Sequence, residues 1–121
     1  MIDVLKTIRS FQYAGRGVAD LFRFENNAKV HLLAAVVVVS AGIWLKISMT
    51  EWAMISTQIG LVLAAEAINT ALEKLCDLVQ PTYHPQVKVI KDVASGAVLI
   101  LAITAVIVAV LIFIPNIMER R

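Results

Sequence analysis

The chain has 121 residues, 60% of them hydrophobic and 17% charged, with a formal net charge of +2. That length holds one small domain, 1–121, and the apolar share lies above the roughly one-half typical of soluble domains. The small net charge, with no basic run interleaved with aromatics, argues against nucleic acid as a partner.

The first segment, 1–25, reads as an amphipathic helix. On a helical wheel Val4, Ile8, Phe11, Ala14, Val18, Leu21 and Phe22 share one side. Lys6, Arg9, Arg16, Asp20 and Arg23 share the other, while Ile2 and Leu5 do not fit. A basic amphipathic helix beside a membrane span lies in the interface plane. Gly15 and Gly17 are expected to loosen its middle, and Glu25-Asn26-Asn27 to turn the chain into the first span. Five basic residues and no long apolar stretch within 1–29 argue against a signal peptide, so the mature chain is expected to start near Met1.

Three apolar runs follow: Val30 to Leu45, Trp52 to Ala65 with a striped continuation to Val79, and Val93 to Met118. A hydrocarbon core of about 30 Å needs about 20 helical residues. The expected transmembrane helices are therefore 28–47, 52–79 and 92–117. Trp44 and Trp52 flank the first connection as an aromatic belt does. Pro81 and Pro85 predict a non-helical second loop, from about Leu78 to Lys91. The fold class expected is an all-α membrane protein with an N-terminal surface helix.

Lys and Arg set the orientation. Three spans place the N-terminal segment and the second loop on one side, with Lys6, Arg9, Arg16, Arg23, Lys29, Lys74, Lys88 and Lys91. The other side carries Lys46, Arg120 and Arg121. Eight against three predicts that the N-terminus and the second loop are cytoplasmic.

Within the second span Glu66, Asn69, Glu73 and Asp77 form a polar stripe. Their offsets of 0, 3, 7 and 11 residues keep all four within roughly 80° of arc on a helix. A carboxylate near membrane depth costs about 2.5 kcal/mol or more, which makes the stripe a candidate site. Interhelical hydrogen bonding that fixes an oligomer is the plainer explanation, but two polar residues suffice for that. Mg²⁺ binding through one or two carboxylates plus phosphate oxygens is the natural chemistry, with the remaining carboxylate as a general base. A small proton-coupled transporter is a non-enzymatic alternative. Carboxylates crowded at one end suit it less well than a lone central one.

Lys91-Asp92, with Ser95 one turn on, opens the third span. It reads either as a helix-start charge pair with a snorkelling lysine or as a phosphate contact. Taken alone, Glu25 is an ordinary interfacial charge. On the same terms His84, with Thr82 and Tyr83, is a surface residue, His31 a buried hydrogen-bonded histidine, and Tyr13 an interfacial anchor. Cys76 is the single cysteine, so no intrachain disulfide or CxxC metal site forms. No Walker A, GxGxxG, HRD or DFG sequence is present, and no Ser-His-Asp triad can be assembled.

The run Glu66-Ala-Ile-Asn69-Thr70-Ala71-Leu72-Glu73-Lys-Leu-Cys-Asp77, followed by Lys91-Asp92-Val-Ala-Ser95-Gly96-Ala97-Val98, resembles the prokaryotic diacylglycerol kinase family. The family pattern is roughly E-x-x-N-S/T-A-I/L-E-x-x-x-D, then K-D-x-A/G-A/S-A/G-A-V, and the likeness extends over essentially the whole chain. It implies an ATP- and Mg²⁺-dependent lipid kinase of the bacterial inner membrane, a homotrimer with active sites shared between subunits. By motif position Glu66 resembles the general base, and Glu25 and Glu73 the metal ligands. Lys91 and Asp92 resemble contacts to the nucleotide phosphates. Lys6 (where an Arg is often found), Tyr13, Thr82, Tyr83 and His84 match positions touching the nucleotide. Asn69, Asp77 and Ser95 resemble support or substrate contacts.

The family has diacylglycerol and undecaprenol branches. Glu25-Asn-Asn-Ala-Lys-Val-His31 and Glu51-Trp52 resemble the undecaprenol branch, whereas Ser95 resembles the diacylglycerol branch. Undecaprenol is the expected substrate and diacylglycerol the alternative.

Overall fold

The computed structural model describes residues 1–119, and every regular element among them is helical. The order is α1 Val4–Phe24, α2 Asn26–Leu45, α3 Met49–Val79 and α4 Pro85–Glu119. Arg120 and Arg121, counted above for orientation, lie outside the described residues. The last three helices are long and apolar enough to cross a membrane.

Helix α1 starts where the Asp3 carboxylate accepts the Lys6 N–H at 3.1 Å. It runs unbroken through Gly15 and Gly17, so the expected loosening does not occur. Of its residues only Leu21 is buried, and Val4, Leu5, Ile8, Phe11 and Val18 are exposed. An apolar face without a protein partner is what an interfacial helix offers to lipid. The turn expected over Glu25-Asn26-Asn27 contracts to Glu25 alone, extended at φ −96° and ψ 119°. Its N–H donates to the Leu21 carbonyl, and its own carbonyl accepts the Lys29 N–H. One residue thus ends α1 and starts α2.

The 20 residues of α2 span about 30 Å, one hydrocarbon thickness. The helix ends at Lys46 in the left-handed region, φ 52° and ψ 53°. Ser48 and Glu51 then form a reciprocal capping box that starts α3: Glu51 N–H reaches Ser48 Oγ at 3.2 Å, and Ser48 N–H reaches Glu51 Oε1 at 2.9 Å.

Helices α3 and α4 have 31 and 35 residues, about 46 and 52 Å, so both project beyond a bilayer core. They are joined by five residues, 80–84, and pack as the most extensive helix pair. The second loop is therefore shorter than expected. Pro85 opens α4 rather than excluding helix, because its missing N–H falls where the first turn has no acceptor. His84 caps that start, its Nδ1 accepting the Gln86 N–H at 3.1 Å. Lys91 and Asp92 consequently lie on a helix two turns past the loop.

The apolar core sits at the opposite end, where Leu45, Ile47, Ile55 and Ile112 are buried against Val38, Trp52, Ile59, Val108 and Phe113. Asn116 closes it, its Nδ2 donating to Glu51 Oε2 at 2.9 Å and to the Ile112 carbonyl at 2.7 Å. The stripe of Glu66, Asn69, Glu73 and Asp77 and the pair Lys91 and Asp92 lie toward the end of the bundle that carries the 80–84 loop.

Candidate active site

Glu66 and Asn69 face inward from α3 at 3% and 4% exposure. About 21 Å of helix separates Trp52 from Glu66, and about 38 Å separates it from Asp77. Measured from the tryptophan belt, Glu66 lies inside a hydrocarbon core of about 30 Å and Asp77 beyond it. The stripe therefore runs from apolar depth to water.

Glu66 and Asn69 line a cavity of about 170 Å³ with Asn27 and His31 from α2 and Ser95, Val98, Leu99 and Ala102 from α4. His31 Nε2 stands 3.8 Å from Glu66 Oε2. Asn69 turns its amide outward along the stripe, with Nδ2 donating to Glu73 Oε1 at 3.2 Å. Its Oδ1 is buried without a hydrogen-bond partner. A buried acceptor in that condition carries a desolvation penalty of about 1–3 kcal/mol, which a hydroxyl or water donor relieves.

A second, apolar groove of about 180 Å³ adjoins this cavity and shares His31 and Ala102 with it. Alanines 34, 35, 102, 105 and 109, with Val38, Ile59 and Val62, make up most of its wall. The polar cavity thus borders a mostly apolar strip, with His31 and Ala102 common to both walls.

At the loop end, a cavity of about 360 Å³ is walled by Asp77, Gln80, Thr82, Tyr83, His84, Lys88, Lys91 and Asp92, with Pro81 and Val87. Lys91 Nζ bonds Asp77 Oδ1 at 2.6 Å, tying α4 to α3, and Lys88 Nζ bonds Asp92 Oδ2 at 2.7 Å. The side chains in both pairs are at least one-third exposed, so solvent screens each pair and neither does much for stability. Their effect is to hold two ammonium groups at the mouth of the cavity.

Glu25 is placed by the break between α1 and α2. It lines a larger cleft of about 650 Å³ between α1 and α3, with Asp20, Thr70 and Lys74 among its walls. Lys74 Nζ lies 3.8 Å from Glu25 Oε1. The two carboxylates expected to hold a metal thus sit on different elements, Glu25 at the α1–α2 junction and Glu73 on α3. Among the described residues no three His, Cys, Asp or Glu side chains converge. Two carboxylates still suit Mg²⁺, which keeps water and phosphate oxygens in its shell.

Of the residues singled out in the sequence, the structure gathers Glu66, Asn69 and Ser95 in one cavity and bonds Glu73 to Asn69. It gathers Asp77, Thr82, Tyr83, His84, Lys91 and Asp92 in another and sets Glu25 in a third. Lys6 and Tyr13 are exposed on α1 and line none of these cavities. Asn27 and His31 were not promoted as site residues from sequence. Their spacing of four puts them on one face of α2, and two polar groups on one face at the start of an apolar helix were the available signal. Lys88 was read only as a charge.

The prokaryotic diacylglycerol kinase family model matches residues 12–113. The chain belongs to that family. Undecaprenol kinase from Bacillus subtilis (strain 168) is 38% identical over 114 residues, 94% of this chain and 93% of the relative. Diacylglycerol kinase from Synechocystis sp. is 38% identical over 91% of this chain and 63% of its own length. Diacylglycerol kinase from Escherichia coli (strain K12) is 28% identical over 84% of each chain. The part matching the prokaryotic diacylglycerol kinases includes both polar cavities and Glu25, and Lys6 precedes it.

Proposed function

We propose that this lipid kinase transfers the γ-phosphoryl group of ATP directly to undecaprenol, giving undecaprenyl phosphate. The observation that carries the reading is a buried carboxylate, Glu66, where a polar cavity meets an alanine-lined apolar groove. A lipid alcohol presents its hydroxyl at such a junction while its tail stays in hydrocarbon. The undecaprenol assignment rests on the Bacillus relative, matched over nearly its full length, and on the Glu25-x-Asn27-x-x-x-His31 stretch. Diacylglycerol is the second reading, favoured by Ser95 and by the Synechocystis relative at equal identity.

In this mechanism Glu66 takes the hydroxyl proton as the alcohol oxygen attacks the γ-phosphorus in line and the bond to the ADP oxygen breaks. Phosphoryl transfer asks mainly for positioning and charge neutralisation. Glu25 and Glu73 would hold Mg²⁺, which neutralises phosphate charge when bound. Lys91 and Asp92 meet the nucleotide phosphates, and Lys6, Tyr13, Thr82, Tyr83 and His84 surround the nucleotide. Asp77 keeps the Lys91 ammonium at the cavity mouth, and Asn69 and Ser95 offer polar contacts to the incoming hydroxyl. The orphan Asn69 Oδ1 supports that role. The N-terminus and the site face the cytoplasm, where ATP is, and three copies complete shared sites.

The test is phosphorylation in lipid with Mg-ATP, undecaprenol and diacylglycerol being compared side by side. Higher kcat/KM for undecaprenol is expected. Higher kcat/KM for diacylglycerol reverses the substrate, and transfer to neither overturns the reading. Glu66→Gln should abolish transfer while leaving folding and assembly intact, and full activity in that variant removes Glu66 as the base.

A further inference from the structure

The geometry points to His31 as the positioning residue for Glu66, the group that aims the carboxylate at the lipid hydroxyl. The inference rests on the reading of Glu66 as the base and adds a residue on another helix to it.

Glu66 is a 3%-exposed carboxylate on a membrane-spanning helix. A buried carboxylate that stays ionised needs a pairing or hydrogen-bonding partner. The lysines of α3 and α4 at this end of the molecule are engaged elsewhere, Lys74 by Glu25, Lys88 by Asp92 and Lys91 by Asp77, while Lys29 on α2 is exposed. Asn69, one turn along α3, gives one Nδ2 hydrogen to Glu73 and also lies within hydrogen-bonding reach of Glu66, but it is neutral and on the same helix. Among the described residues the basic side chain beside Glu66 is His31, with Nε2 at 3.8 Å from Oε2. That is beyond direct hydrogen-bond length and within reach of a small side-chain rotation or one bridging water. Catalytic contacts of this kind are commonly long before substrate binds and tighten in the complex.

The placement of His31 is equally specific. It borders both the polar cavity with Glu66 and the apolar groove, the boundary that a hydroxyl on a long apolar tail must reach. An imidazole N–H directed at Oε2 fixes one carboxylate oxygen toward α2. The other oxygen is left for the substrate. His31 therefore acts through Glu66 and does not itself need to touch phosphate.

The test uses the full chain in lipid with Mg-ATP and whichever alcohol is turned over. His31→Ala is expected to lower kcat about 10–100-fold, the scale on which orienting partners act. KM for ATP and for the lipid should hold. His31→Gln, which keeps an N–H donor, should recover most of that loss. Glu66→Gln with His31→Ala should be no worse than Glu66→Gln alone, since residues working as one unit are non-additive. Thermal midpoint and oligomer size are measured on every variant. Should His31→Ala fail to fold, His31→Leu, which fills the space without a donor, takes its place in the comparison.

Unchanged kcat overturns the proposal, as does a raised lipid KM at constant kcat, which would make His31 a substrate contact. A kcat loss that tracks a lowered thermal midpoint and is not rescued by Gln marks a purely structural role and also overturns it. Full activity in Glu66→Gln alone defeats the base reading itself. An inactive Glu66→Gln beside a fully active His31→Ala defeats only the present proposal.

Discussion

Gly42 is buried on α2, and a Cβ added there would stand 2.7 Å from the Trp52 Cη2 and 3.1 Å from the Ile47 Cδ1. The indole is a rigid ring wedged between two helices, so it cannot yield as a flexible chain end does. Gly42→Ala should destabilise the protein by about 1–3 kcal/mol, seen as a lowered unfolding midpoint in detergent or lipid. Four residues on, Lys46 takes the left-handed conformation that closes α2, where glycine is the usual residue. Lys46→Gly should raise stability by up to about 1 kcal/mol in the same assay, with kinase activity unchanged. The cost of a Cβ at Gly42 was not legible in the sequence, because it depends on a tryptophan from the next helix. The candidacy of Glu66 was, because a carboxylate in an apolar run is conspicuous whatever surrounds it.

Three helix starts have a local cause that can be named. Asp3 caps α1, Ser48 and Glu51 box α3, and His84 with Pro85 starts α4. The second loop is shorter than Pro81 and Pro85 predict because proline is favoured at a first helical position, which Pro85 occupies. Its consequence for the site is direct: Lys91 sits on a rigid helix and reaches Asp77 across to α3. At the other end Asn116 ties α4 to the Glu51 cap of α3. Asn116→Ala should lower the unfolding midpoint, since Glu51 Oε2 loses its donor and the cross-helix tie between α4 and the α3 cap is removed. Turnover should change little, because the core lies between this clamp and the site.

At the scale of the molecule, one protomer leaves much apolar surface exposed, including Leu33, Val37, Ile100, Val106 and Leu111 in the spanning helices. Lipid or other copies must cover it. The proposed trimer with shared sites predicts complementation. Glu66→Gln and Lys91→Ala, each inactive or nearly so alone, should regain a measurable fraction of wild-type transfer when co-expressed. Activity that stays at the level of the singles would place each whole site within one protomer. Chelating Mg²⁺ with EDTA should abolish transfer, and readdition should restore it.

The residues alone determined the helical class, the number of spans and the polar stripe, because 3.6-residue periodicity and long apolar runs depend only on local order in the chain. They also carried the family pattern. Only the tertiary structure decided which residues share a cavity. The break at Glu25 turns α2 so that Asn27 and His31 face Glu66, and the hairpin of α3 and α4 brings Lys91 onto Asp77. The physical reason is distance along the chain: His31 and Glu66 are 35 residues apart, and nothing in either segment encodes the other's position until the helices pack.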